Sequence, residues 1–153
     1  MTSVEASSSW ALAGGAQPPR LPEGIDLPRD RMLVMGILNV TPDSFSDGGR
    51  FLDPGAALDH AQHMLEEGAD LVDLGGESTR PNSTRISEDE EWGRIGSIIQ
   101  RLAASGVVVS VDTLHALTAR RAADAGAAII NDVSGGRWDP QMNASVASTS
   151  DRK

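Results

Sequence analysis

The chain alternates. Four short apolar runs, residues 33–39, 71–75, 107–111 and 128–130, are separated by stretches in which apolar residues recur at helical spacing. Strict alternation of short strands and helices predicts a parallel α/β sheet. Each run ends in polar side chains: Asn39, Asp73, Asp112, and the pair Asn131 and Asp132. In folds of this kind, ligands sit at the carboxyl ends of the strands. The polar residues are therefore the first place to look for chemistry.

The helices carry their own punctuation. Asp53-Pro54 is an N-cap followed by proline at the first helical position. It predicts a helix over 55–67 with Ala57, Leu58, Ala61, Met64 and Leu65 on one face and Gly68 as the stop. Ser87 with Glu90 three residues on reads as a capping box. The helix after it presents Trp92, Ile95, Ile98, Ile99 and Leu102, and ends at Gly106. Gly93 and Gly96 weaken it by about 1 kcal/mol each relative to alanine. A third helix is expected over 114–125, stopped by Gly126, and a fourth begins after Asp139-Pro140.

At 153 residues the prior is one domain. Residues 1–30, rich in Ser, Ala, Gly and Pro, read as a flexible extension, and 31–153 as the domain. The first ten residues contain Glu5 and neither Lys nor Arg, unlike a secretory signal. No run approaches the roughly 18 apolar residues that span a bilayer. The expected location is cytoplasmic, with no membrane partner. The absence of cysteine excludes a disulfide framework and a thiolate metal site. A net charge of −9 argues against a nucleic-acid partner, which would need a basic face. Aromatics are 3% of the chain, so the core must rest on aliphatic residues. Four strand units cannot close an eight-strand barrel, which takes about 250 residues. The alternatives are a small open α/β sheet or part of a larger barrel.

Three segments narrow this. The first is Gly36-Ile-Leu-Asn39 continuing into Val-Thr-Pro-Asp-Ser-Phe-Ser-Asp-Gly-Gly. The second is Val72-Asp-Leu-Gly-Gly-Glu-Ser-Thr-Arg-Pro81. The third pairs Val109-Ser-Val-Asp-Thr113 with Ile130-Asn-Asp-Val-Ser-Gly-Gly136. In order and spacing they resemble the N-terminal half of dihydropteroate synthases, a pterin-binding family, over roughly residues 31–145. The resemblance implies the N-terminal half of a TIM (β/α)8 barrel, about four β/α units, cut before strand five. It implies an enzyme that condenses 6-hydroxymethyl-7,8-dihydropterin pyrophosphate with 4-aminobenzoate to give 7,8-dihydropteroate and pyrophosphate. It also implies assistance by Mg2+ and, for the full-length family, a homodimer.

Residue by residue, the resemblance places Asn39 on the metal, a role that suits a hard amide oxygen. It places Asp112 and Asn131 on the pterin. An ionised Asp accepts two N–H groups, and an Asn offers both a donor and an acceptor. Thr79 and Arg80 are expected on the pyrophosphate and aminobenzoate side, where a hydroxyl and a guanidinium suit an anion. Asp43, Ser44 and Phe45, on the first loop, are expected to stabilise a cationic pterin methylene and to exclude water. Asp73 reads as a structural hydrogen-bonding residue, Glu77 carries no firm role, and Arg85 reads as solvated. His115 is expected early in the third helix without chemistry, and Asp132 as a support for the loop after strand four. The family's second half, with a further pterin-binding Asp, a Lys, and a C-terminal Arg and His, is absent from this sequence. Two other readings stay open: a non-catalytic truncated product, and a methyltetrahydrofolate methyltransferase-type pterin-binding barrel, which the first two loop motifs disfavour.

Overall fold

The computed structural model describes residues 27–28, 30–41, 53–78 and 83–150. The order of elements is β1 (Met35–Asn39), α1 (Pro54–Glu66), β2 (Leu71–Gly75), α2 (Glu88–Ala104), β3 (Val109–Asp112), α3 (Ala116–Asp124), β4 (Ile129–Asn131) and α4 (Met142–Ser150). The strands form one parallel sheet in the order β1-β2-β3-β4.

Three helices return the chain to the sheet by one device. After α1, α2 and α3 a glycine takes positive φ: Gly68 at 107°, Gly106 at 81° and Gly126 at 104°. In each case the glycine N–H donates to a carbonyl of the last turn, and the next residue's N–H reaches one residue further back. The pairs are Gly68 to Leu65 with Ala69 to Met64, Gly106 to Ala103 with Val107 to Leu102, and Gly126 to Ala123 with Ala127 to Ala122. These are Schellman caps, which an L-side chain at the glycine would strain. They also explain a difference from the sequence reading. Val107 belongs to the cap of α2, so β3 starts at Val109 rather than at 107.

The helix starts are equally local. Asp53 Oδ1 accepts the Gly55 N–H at 2.9 Å, ahead of Pro54. Ser87 Oγ accepts the Glu90 N–H at 3.2 Å. The Glu90 carboxylate turns to Arg94 at 2.5 Å, away from the reciprocal half of a capping box. Ser87→Ala should therefore lower stability by about 1 kcal/mol, the usual worth of such a cap. Urea denaturation checks this through a lower midpoint at unchanged slope.

Side chains alternate across the sheet. Leu38, Val40, Val72, Leu74, Val109 and Val111 face the helices and join Ala57, Ala61, Ile95, Ile98, Ile99 and Leu102 in the main core. Gly36 belongs to this face. A Cβ there would lie 2.9 Å from Met64 Sδ, so its bare backbone lets α1 pack closely. The opposite face is open along β1, where Met35 and Ile37 are exposed. Parallel sheets in α/β proteins ordinarily have both faces covered. Of the sequence-defined extension, residues 27, 28 and 30 are described, and Leu27 is buried. The Arg31 guanidinium pairs with Asp70. That bond and the Val34 N–H hold the Asp70 carboxyl below the usual range and fix the entry to β1.

Candidate functional site

The register of the sheet builds the site. Asn39 stands opposite Gly75, Gly75 opposite Asp112, and Asp112 opposite Asn131. These four positions form a row across the carboxyl ends of all four strands, on the face away from the helices. One layer deeper the row is Ile37, Asp73, Ser110 and Ile129. Two adjacent layers thus carry five polar side chains on a single face.

Gly75 leaves the upper row open at its centre. A Cβ placed there would lie 3.4 Å from Asn39 Oδ1 and 3.8 Å from Asp112 Oδ2. The two flanking side chains therefore lean over a bare stretch of backbone, a surface suited to a flat ring. Below it, Asn131 Nδ2 donates to Asp73 Oδ2 at 3.2 Å. This is the structural bond expected of Asp73, yet its other oxygen is free. Asp73 Oδ1, Ser110 Oγ and Asp112 Oδ1 are all buried without a partner. Buried polar atoms are normally hydrogen-bonded. Three such atoms on one face are free to take hydrogen bonds from a ligand.

Asp112 reflects the same crowding. Burial, then the negative charges of Asp73, Glu91, Asp132 and Glu77, push its carboxyl up to about 6. A ligand that brings N–H groups would relieve this by favouring the ionised form.

Buried polar groups also stiffen the rim. Thr113 Oγ donates to Glu91 Oε2 at 2.8 Å and accepts the His115 N–H at 3.1 Å. Glu91 is fully buried, and burial pushes its carboxyl up against the opposing pull of Thr118 and Thr113. Thr118, also buried, lies near the same carboxylate, and neither its Oγ1 nor Glu91 Oε1 has a hydrogen-bond partner. After β4, Asp132 accepts the Ser134 and Gly136 N–H groups at 2.8 and 2.7 Å, the loop support expected of it. Asp139 Oδ2 accepts the Ala116 N–H at 2.9 Å and so caps α3 from 23 residues downstream. That bond, then the one from Gln141, draws its carboxyl down.

The structure brings Asn39, Asp112 and Asn131 together. Thr79, Arg80, Asp43, Ser44 and Phe45 lie outside the described residues. His115 precedes α3 as its N-cap residue, not within the helix, and its ring bonds to Glu77. Arg85 is not simply solvated: it pairs with Glu77 and lies 4.7 Å from the centroid of the Trp138 ring. Sequence reasoning missed Ser110, although stepping back two residues from Asp112 along a strand would have found it. Glu91, inside the charged run Glu88–Glu91, gave no signal of burial.

Residues 35–152 match the family described as pterin binding enzyme. The chain belongs to this family of pterin binding enzymes. Within the family, the chain is 53% identical to the dihydropteroate synthase of Bacillus subtilis over 120 residues, 78% of this chain and 42% of that one. It superimposes on the Xanthomonas albilineans dihydropteroate synthase with 4-aminobenzoic acid at a TM-score of 0.73 and 49% identity, covering 78% of this chain and 44% of that one. The Burkholderia cenocepacia dihydropteroate synthase complexed with 7,8-dihydropteroate gives a TM-score of 0.69 and 40% identity, covering 80% and 40% respectively. The chain spans about two fifths of the length of the curated relative it matches. Its four β/α units are those of half a TIM barrel.

Proposed function

We propose that this chain forms the pterin-holding part of a dihydropteroate synthase. The observation that carries the reading is the row Asn39, Gly75, Asp112 and Asn131, with the orphaned oxygens of Asp73, Ser110 and Asp112 around it. A pterin presents several N–H groups and acceptors along one edge of a flat ring. Asp112 accepts from that edge, Asn131 contributes a donor and an acceptor, and Gly75 lets the ring lie against the sheet.

In the reaction, the amine nitrogen of 4-aminobenzoate forms a bond to the exocyclic methylene carbon of 6-hydroxymethyl-7,8-dihydropterin pyrophosphate. The carbon–oxygen bond to pyrophosphate breaks, its electron pair leaves with pyrophosphate, and the amine loses a proton. No protein nucleophile is needed. Thr79 and Arg80 hold the anionic groups, and Asp43, Ser44 and Phe45 shield and stabilise the methylene as positive charge develops. The end of β1 suits Mg2+: Asn39 offers a hard oxygen, and magnesium keeps several waters and substrate phosphate oxygens, so one protein ligand suffices. Among the described residues no group of three or more acidic or histidine side chains is placed to hold a metal, so the proposed site rests on Asn39 and on ligands from water and substrate. When bound, the ion neutralises charge on the departing pyrophosphate. Alongside this reading stand the expectations of a cytoplasmic location and, for the full-length family, a homodimer.

The test is product formation. The native protein should release 7,8-dihydropteroate in a reaction dependent on 4-aminobenzoate, followed by chromatography, and should be at least the size of a complete barrel of about 250 residues. The 153 residues alone should show no turnover, because half the barrel cannot enclose both substrates. Native protein that binds pterin yet makes no dihydropteroate would replace this reading with the non-catalytic one.

A further inference from the structure

We propose that Glu77 is a positioning residue that ties the rim loops to the pterin floor. The proposal rests on the synthase reading for its kinetic consequence, though not for its geometry. Glu77 stands two residues past Gly75, and its side chain is only 6% exposed. Its two oxygens serve different partners. Oε1 accepts from Arg85 Nη1 at 2.6 Å, at the far stem of the same loop. Oε2 meets His115 Nε2 at 3.0 Å, across in the β3–α3 turn. A carboxylate only accepts, so the imidazole presents its proton at Nε2.

Each partner passes the contact on. Arg85 lies over the Trp138 ring, which brings in the β4–α4 loop by a cation–π contact. The His115 backbone N–H donates to Thr113 Oγ, and the Thr113 N–H donates to the Asn131 carbonyl at 3.2 Å. Thr113 directly follows Asp112. One carboxylate therefore anchors three loops and reaches, through two further bonds, the pair expected to hold the pterin. Ser83 Oγ, donating to the Ser78 carbonyl at 2.5 Å, closes the same loop's stems beside it.

Glu77→Ala removes both acceptors. Arg85 can turn to water. His115 is largely buried and cannot, so the β3–α3 turn shifts behind Asp112. Glu77→Gln keeps the shape but sets an amide N–H against one of the two donors, and guards against a simple folding failure in the alanine variant.

Two measurements read the result. In 15N-resolved NMR spectra, the chain's three tryptophans give three indole N–H signals, and that of Trp138 is identified by its loss in Trp138→Phe. In both Glu77 variants the Trp138 indole and His115 ring signals should move while the Trp92 indole stays in place. In the native enzyme, KM for the pterin pyrophosphate should rise roughly tenfold in Glu77→Ala with kcat held within about twofold, the pattern of lost uniform binding. Unmoved Trp138 and His115 signals, or moved signals with KM unchanged, would overturn the proposal. A wild-type enzyme without turnover would sink the synthase reading alone, since the NMR measurement still decides whether Glu77 holds the loops.

Discussion

Under the proposed function, Asp112→Asn should lower kcat/KM of the native protein for the pterin substrate by about a hundredfold or more, while making the fold more stable. The loss follows from replacing an acceptor of two N–H groups by an amide whose own N–H faces the ligand. Hydrogen bonds to a charged group are each worth about 1.5–3 kcal/mol. The gain follows from linkage. The Asp112 carboxyl is raised from 3.8 to about 6 in the folded protein. Between those pH values the folded state holds a proton that the unfolded chain has already lost. Stability therefore falls as pH rises through the window, and the ionised group is a liability above it. Asparagine carries no such liability. After allowance for solvent screening of a half-buried group, the variant should gain about 1–2 kcal/mol at neutral pH and nothing near pH 4. Urea denaturation at the two pH values checks this. A variant no more stable than wild type at neutral pH would mean that the ionised Asp112 is not strained.

Ile98→Ala is the second large effect. Ile98 is fully buried on α2 within the main core. Truncation there should destabilise by about 2–5 kcal/mol, the transfer loss plus the cavity left behind. Against a typical total of about 5–15 kcal/mol, that is enough to unfold a marginal domain. Ile98→Val should cost only about 0.5–1.5 kcal/mol. Denaturation midpoints of the pair separate cavity formation from any effect on helix propensity, since the β-branched Val is the poorer helix former.

The elements were legible because their signals are local. Asp53-Pro54, Ser87, Gly68, Gly106 and Gly126 set their boundaries from within a few residues. What could not be read came from distant partners. α3 starts at Ala116 because Asp139 supplies its cap and Thr113 holds the turn before it. Glu91 sits in an acidic run that gives no sign of burial, and its buried partner Thr113 comes from a distant strand end. In the site, the polar strand ends pointed to Asn39, Asp112 and Asn131. Their common row depends on the register between strands, which sequence does not display. Arg85 found its two partners, Glu77 and Trp138, for the same reason.

The order of strands in the sheet is also their order along the chain. Each new strand joins the edge left by the one before it, with the intervening helix already capped by its own glycine. The fold can thus be laid down in the direction of translation. At about 5–20 residues per second, a β/α unit of this size emerges from the ribosome within seconds. Its docking edge is already in place, and no earlier pairing has to be undone. The face of β1 that carries Met35 and Ile37 is open from the moment that strand pairs, and it gives a chaperone an apolar surface to hold.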